Sequence, residues 1–302
     1  MPSSLPVWRS ILYVPANVEK FIASAHTRGA DCIQLDLEDS VVPSEKERAR
    51  AGVAAAVKRV GCAGADVIVR VNRPLRMAVR DIEAAVCAEV LGLTIPKVDS
   101  AEHLRLLDEL VSELEIERGL AAGATRFVAI IESAEAYLRM PAIATATPRL
   151  VAMILGAEDF ALDLGIEPEE QALTTAKQQL IIAARAAGLM PLGLLGSIAS
   201  YGDNAQFEAM ALRSRRFGFM GATCIHPRQV PILNRAYAPT SAEIGRARAI
   251  VQEAERARAQ GRGAFEIDGL MVDAPIVQRA EQLLARHAIL VAREARLADR
   301  ND

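Results

Sequence analysis

Aromatic residues are scarce in this chain of 302 residues: Phe, Trp and Tyr together make up 4%. That argues against a surface of stacking platforms for single-stranded nucleic acid. Cysteine is scarcer still. The four present, Cys32, Cys62, Cys87 and Cys224, form no CxxC pair. A disulfide framework and a zinc knuckle are thereby excluded, and a reduced compartment is expected. The cysteines themselves are expected to fill the core. Neither sign of charge dominates, since 35 basic residues meet 38 acidic ones for a net charge of −3. No global positive field recruits nucleic acid, so an anionic ligand must be caught by local basic groups. Long hydrophobic runs are also missing. The longest, LVAMILGA (150–157), is about a third of a membrane span. The start, MPSSLPVWRS, lacks the basic and apolar regions of a signal peptide. The expectation is a cytoplasmic protein with neither a membrane nor a nucleic acid as partner.

What is present is a globular composition, 51% hydrophobic and 24% charged, with ample apolar surface to offset ordering entropy. Short apolar runs alternate with longer amphipathic stretches. The runs are SILYVP (10–15), CIQLDLE (32–38), VIVRVN (67–72), LTIPKV (93–98), FVAIIES (127–133), LVAMILGAED (150–159), MPLGLLG (190–196) and ATCIHP (222–227). Several are rich in Ile and Val and nearly continuous, the pattern of parallel strands buried on both faces. Helices are expected over 19–28, over 44–60 with a Ser44/Glu47 capping box, over 100–118, over 169–188 and over 204–218. Eight such units without a GxGxxG favour a (β/α)8 TIM barrel over an open doubly wound sheet. The barrel is assigned to 1–238. A C-terminal helical and lid extension is assigned to 239–302, with a charged helix over 241–260, a glycine-rich turn over 261–269 and a last helix over 275–298.

In such a barrel the active site lies at the C-terminal ends of the strands. Those ends supply Asp36, Glu38, Asp39, Arg70, Asn72, Lys97, Glu132, Ser133, Glu158, Asp159 and His226. Arg9 precedes the first strand and is not at this end. Polar groups in apolar runs are costly unless paired or useful. Carboxylates beside Arg70 and Lys97 suit a hard divalent cation, Mg²⁺ or Mn²⁺, with the basic groups on an anionic substrate. Plainer readings stand beside these. Glu132 and Asp159 can be helix-capping acids, Asp36 and Glu38 can be structural partners of Arg70 or Lys97, and His226 can be a hydrogen-bonded structural histidine. The RSRR run (213–216) reads as a solvated helix end.

The ordered motifs RSILYVPA (9–16), GADCIQLDLEDSVVPSEKERAR (29–50), VRVN (69–72), IPKV (95–98), IIESAEA (130–136), GAEDFALDLG (156–165), CIHPRQV (224–230) and DGLMVDAP (268–275) carry a resemblance. The chain resembles the citrate lyase β-subunit-like acyl-CoA lyases of the HpcH/HpaI aldolase group, over nearly its whole length. The resemblance implies a (β/α)8 barrel assembled as homotrimers or hexamers. It also implies cleavage or formation of a carbon–carbon bond next to a CoA thioester, giving an acyl-CoA and a 2-oxo acid. Malyl-CoA, citramalyl-CoA and citryl-CoA are typical substrates. It implies Mg²⁺ on Glu132 and Asp159, substrate contacts from Arg70 and Glu132, and Arg9 near the substrate or CoA. It implies Asp273 as an acid from an adjacent subunit, although Asp273 before Pro275 also suits an N-cap of the last helix. Asp36, Glu38, Asp39 and Lys97 are expected around these residues, orienting Arg70 or holding metal-bound water.

Two segments depart from the pattern. PLGLLGSIASYGD stands where many members carry an acid after the seventh strand, and Ala222-Thr223 where a longer residue often precedes CIHP. The acyl group is therefore left open. So are an aldolase on free 2-oxo acids, a malyl-CoA thioesterase, and a non-catalytic or carrier-dependent subunit.

Overall fold

The computed structural model of the chain describes residues 5–197 and 203–298. Part of the PLGLLGSIASYGD segment, 198–202, lies outside the described residues. The chain divides into two compact units, Met1–Tyr237 and Ala238–Asp302.

The first unit contains β1 (Ser10–Pro15), β2 (Cys32–Asp36), β3 (Asp66–Arg70), β4 (Gly92–Ile95), β5 (Arg126–Ile131), β6 (Leu150–Leu155), β7 (Met190–Leu192) and β8 (Ala222–Cys224). Its helices are α1 (Glu19–Ala25), α2 (Lys46–Val60), α3 (Leu75–Ala85), α4 (Ala101–Glu117), α5 (Ala134–Leu138), α6 (Met140–Ala144), α7 (Ala157–Leu164), α8 (Glu170–Ala186), α9 (Asn204–Phe217) and α10 (Gln229–Ala236). All paired strands are parallel, in the order β7-β6-β5-β4-β3-β2-β1-β8. Two backbone bonds close the ring: Met220 N–H to the Pro191 carbonyl and Gly193 N–H to the Gly221 carbonyl, each 2.9 Å. This is the TIM-type α/β barrel that the alternation predicts.

Strand side chains alternate between two cores, as the period of two requires. One set, including Ile11, Cys32, Ile68, Val128, Ile130, Ile154 and Leu192, forms a compact cluster inside the barrel. The intervening residues, including Leu12, Ile33, Leu35, Val67, Val69 and Ala129, join the larger cluster beneath the helices. The inner series of β1, β2, β3, β5 and β6 continue to Tyr13, Asp36, Arg70, Glu132 and Gly156. Strand alternation thus carries chemistry-bearing residues to one mouth.

Several boundaries differ from the sequence reading. β2, β4 and β6 stop at Asp36, Ile95 and Leu155, so Glu38, Asp39 and Lys97 lie in the following turns. Glu158 and Asp159 stand in the first turn of α7, where the helix dipole favours acids. The Ser44/Glu47 capping box is absent. Pro43 opens a 3-10 turn over Pro43–Glu45, and α2 starts at Lys46 without a side-chain cap. Lys46 turns inward, donating to the carbonyls of Leu37 (2.8 Å) and Glu38 (2.7 Å). Ser100 does cap α4, accepting from His103 N–H. Of the cysteines, only Cys32 and Cys224 are buried; Cys62 is exposed and Cys87 half-buried.

In the second unit, α11 (Ser241–Ala259) begins with a capping box between Thr240 and Glu243. The expected glycine-rich turn contains a hairpin of β9 (Phe265–Ile267) and β10 (Leu270–Val272). Asp268 and Gly269, at φ 53° and 73°, make its two-residue turn. α12 (Ala274–Ala298) follows, and Phe265 and Val272 pack with Ile250, Ala254, Val277 and Ala280. Among the described residues no helix is long and apolar enough to cross a membrane.

Candidate active site

The mouth of the barrel opens into a cavity of about 510 Å³ lined by Tyr13, Asp36, Asp39, Arg70, Glu132 and Asp159, with Ile130, Ile154, Leu194 and Ile225 among its apolar walls. Arg70 is its organising cation. Asp36 accepts from Arg70 Nε and Nη2, both at 2.7 Å, in a two-pronged pair. Glu38 lies 2.8 Å from Nη1 and Asp39 3.3 Å. Burial opposes the charge on Asp36, but the guanidinium outweighs it and holds the carboxyl below its usual range. The Arg70 guanidinium stands 4.9 Å from the centroid of the Tyr13 ring, a cation–π distance. Burial pushes the Tyr13 phenol up to about 12, so Tyr13 is a neutral donor at physiological pH.

Across the mouth, Glu132 ends the inner series of β5. Its Oε2 accepts the Lys97 N–H at 2.5 Å. Its carboxyl is pushed up to about 7, first by burial and further by the nearby Glu38 and Asp159 carboxylates, against the pull of Lys97. Gly156 is required beside it: a Cβ there would stand 2.5 Å from Glu132 Cγ and 2.7 Å from Oε1. The Lys97 ammonium lies 2.9 Å from Glu38, 3.6 Å from Asp159 and 3.8 Å from Asp39. Burial opposes its charge, yet the Glu38, Glu132 and Asp39 carboxylates raise its pKa. Ser133, not Glu132, caps α5.

The donor set fits a hard cation. Glu132 and Asp159 are oxygen donors facing one cavity, and crowding of the buried Glu132 carboxylate is relieved by positive charge. Among the described residues no group of three or more His, Cys, Asp or Glu is arranged to cage a metal alone. Two carboxylates with water and substrate completing the shell is the arrangement Mg²⁺ favours.

Not every expected residue joins the mouth. Arg9 is a correction: it precedes β1 at the opposite, N-terminal pole. There its Nε and Nη2 hold Asp31 at 2.8 and 2.9 Å, about a strand's length from the cavity. Asn72 is structural, donating to the Leu37 carbonyl and to Asp81. His226 Nδ1 accepts the Arg228 N–H at 3.1 Å, as the structural reading has it. Glu158 is exposed and accepts from Ser197 Oγ at 2.7 Å. Asp273 is exposed and immediately precedes α12, its carbonyl accepting from Ile276 and Val277. Within the RSRR run, Arg213 pairs with Glu170 at the surface, whereas Ser214 is fully buried and its hydroxyl accepts the Leu195 N–H. Two contributors, Tyr13 and Lys46, were missed. Tyr13 alternates with buried Leu12 and Val14, which was the available signal; Lys46 reads as an ordinary helix residue.

Several known proteins are similar to this chain over most of its length. The citrate lyase subunit beta of Escherichia coli K12 is 35% identical over 289 residues, 95% of each chain. The L-malyl-CoA/beta-methylmalyl-CoA lyase of Rhodobacter capsulatus is 33% identical over 294 residues, 89% of this chain and 90% of that one. The crystal structure of protein CitE from Mycobacterium tuberculosis in complex with magnesium, acetoacetate and coenzyme A has 27% sequence identity and a TM-score of 0.73, covering 93% of this chain and 98% of the other. The family model described as HpcH/HpaI aldolase/citrate lyase matches residues 9–227, a span that contains the whole barrel mouth, and the chain belongs to that family.

Proposed function

We propose that this protein is a Mg²⁺-dependent carbon–carbon lyase acting on a 3-hydroxyacyl-CoA thioester of the malyl-, citramalyl- or citryl-CoA type. The observation that carries the reading is the convergence of Glu132, Asp159 and the carboxylate-held Arg70 on one cavity. Relatives named as a citrate lyase subunit beta and as an L-malyl-CoA/beta-methylmalyl-CoA lyase, and one neighbour in complex with magnesium and coenzyme A, support it.

Glu132 and Asp159 hold the cation, for which Mn²⁺ is a substitute. When bound, it supplies Lewis-acid polarisation of the oxygens that become the 2-oxo acid. Asp36 and Glu38 fix the Arg70 guanidinium so that its remaining N–H groups face negative charge growing on the substrate. Such preorganised donors contribute about 3 kcal/mol. In cleavage, the hydroxyl proton passes to water, the carbonyl forms, and the carbon–carbon bond breaks. The electron pair is left on the thioester as its enolate. Asp273, supplied by a neighbouring subunit of a homotrimer or hexamer, then protonates the enolate carbon; in condensation it removes that proton. The location assigned is the cytoplasm.

The test is 2-oxo acid release from malyl-CoA, citramalyl-CoA and citryl-CoA with Mg²⁺, for the wild type, Glu132→Ala and Asp273→Ala. Cleavage of one thioester, abolished by chelator and by both substitutions, is expected. Turnover of free 2-hydroxy-4-oxo acids alone overturns the reading in favour of an aldolase. Silence on every substrate favours a carrier-dependent or non-catalytic subunit.

A further inference from the structure

Among the described residues, two that carry a Cβ have positive φ: Asp268, in the hairpin turn, and Lys97, at 48°. The first has an ordinary explanation in turn chemistry. Lys97 has none, since lysine is not among the residues that favour the left-handed region. A residue held in such a region persists only where its surroundings fix it, and those surroundings are often functional.

The surroundings of Lys97 are on both sides of the mouth. Its N–H is spent on Glu132 Oε2, and its carbonyl accepts Arg73 Nε at 2.9 Å. The next residue returns to the barrel, with Val98 N–H donating to the Ile130 carbonyl. Fixed at both ends of its peptide, the residue sends its ammonium to Glu38 at 2.9 Å and within 3.6 Å of Asp159. Glu38 in turn grips Arg70. Lys97 therefore touches both carboxylates assigned to the cation and, through Glu38, the arginine assigned to the substrate.

We propose that Lys97 is a positioning residue with two parts: its left-handed backbone aims Glu132, and its ammonium is an internal counter-cation that a divalent ion must displace from Asp159. This rests on the reading of Glu132 and Asp159 as the cation pair. The ammonium satisfies the acidic cluster before the ion arrives and repels the ion as it enters, so it sets the affinity below what the carboxylates alone would give. Glu38 remains as its anchor when Asp159 turns to the ion.

The experiment is Mn²⁺ binding to metal-stripped protein without substrate, followed by calorimetry and by the Mn²⁺ paramagnetic resonance signal. Lys97→Met and Lys97→Gly both remove the charge, and glycine also accepts the positive φ at no steric cost. Both are expected to lower the Mn²⁺ dissociation constant by about tenfold, while Lys97→Arg stays near wild type. Thermal unfolding is expected to place Lys97→Gly at or above Lys97→Met, because the left-handed backbone is relaxed there. Unchanged or weaker Mn²⁺ binding in both neutral variants overturns the proposal. Glu132→Gln and Asp159→Asn test the underlying reading separately. Their loss of Mn²⁺ binding upholds the cation pair whatever Lys97 does, and full retention overturns the pair itself.

Discussion

The carboxylate of Glu132 rests against a glycine whose missing side chain is the space it occupies. Gly156 has φ −75° and ψ 93°, a conformation open to alanine, so Gly156→Ala introduces no backbone strain. What the new methyl displaces is the Glu132 side chain from Cγ outward, so the carboxyl must move within the cavity. The expected result is an enzyme with the melting curve of the wild type and a kcat lower by about a hundredfold, the scale of loss for an ångström-sized misplacement of a reacting group. Steady-state kinetics beside calorimetric melting checks this. Equal loss of folding and activity would mean that Gly156 serves packing instead. Arg70 admits a parallel argument. Its two-pronged pairing with Asp36 uses the planar fork that lysine lacks, so Arg70→Lys keeps the charge and loses the geometry. A fall in kcat/KM of about a hundredfold is expected, with Asp36→Asn producing a loss of the same kind because it acts through the same guanidinium.

At the level of elements, α4 and the start of β6 are tied together by a buried ion network at the pole away from the mouth. Arg149, immediately before β6, donates through Nη1 and Nη2 to Glu115 at 2.7 and 2.8 Å, and through Nε to Asp108. Glu115 also accepts the N–H groups of Gly123 and Thr125. Burial works against its charge, but Arg149 and the two backbone donors outweigh it and lower its pKa from 4.5 to about 2. A depressed carboxyl stabilises the fold above its unfolded pKa, and that stability drains as pH falls from about 4.5 towards 2. The contribution at neutral pH is about 3 kcal/mol. Urea unfolding should show Glu115→Gln less stable than wild type at pH 7, with the gap narrowing as the buffer is taken towards pH 3; a gap independent of pH would sink the assignment. This network was not legible in the sequence, because its members sit far apart and read as ordinary helix and loop charges. The strands were legible. Runs such as FVAII followed by Glu132 announce both a buried strand and its polar end. Boundaries were less so: Glu158 and Asp159 read as a strand end although Gly156 starts a helix, and Ser44 reads as a cap although Pro43 diverts the chain into a 3-10 turn. Lys97 was legible as a polar residue at a strand end but not in its backbone, since nothing in IPKV announces a left-handed lysine. Arg9 was carried by its motif, although its place before the first strand already set it away from the mouth.

For the whole molecule, the barrel unit carries Arg70, Glu132 and Asp159, whereas Asp273 belongs to the unit of residues 238–302. The acid proposed at Asp273 lies on a separate unit, which raises the question of which copy of the chain it would serve. In a cyclic oligomer each mouth can be completed by the next subunit, so every site draws on two chains. That arrangement makes a prediction independent of any single distance. Glu132→Ala destroys the cation site of its own barrel but keeps a functional Asp273, and Asp273→Ala does the reverse. Each homo-oligomer is then inactive. Co-expressed in equal amounts, the two chains form mixed assemblies in which some mouths combine an intact Glu132 with an intact Asp273 from the neighbour. Random mixing restores about a quarter of the wild-type sites. If Asp273 serves the barrel of its own chain, every mouth carries one lesion and mixing restores nothing. Native mass spectrometry establishes that mixed oligomers have formed, and the lyase assay on the same sample decides between the two. A quarter of wild-type activity assigns the acid to the neighbouring subunit. Inactivity of confirmed mixed assemblies returns Asp273 to its own chain, or leaves it outside the reaction as the residue before α12.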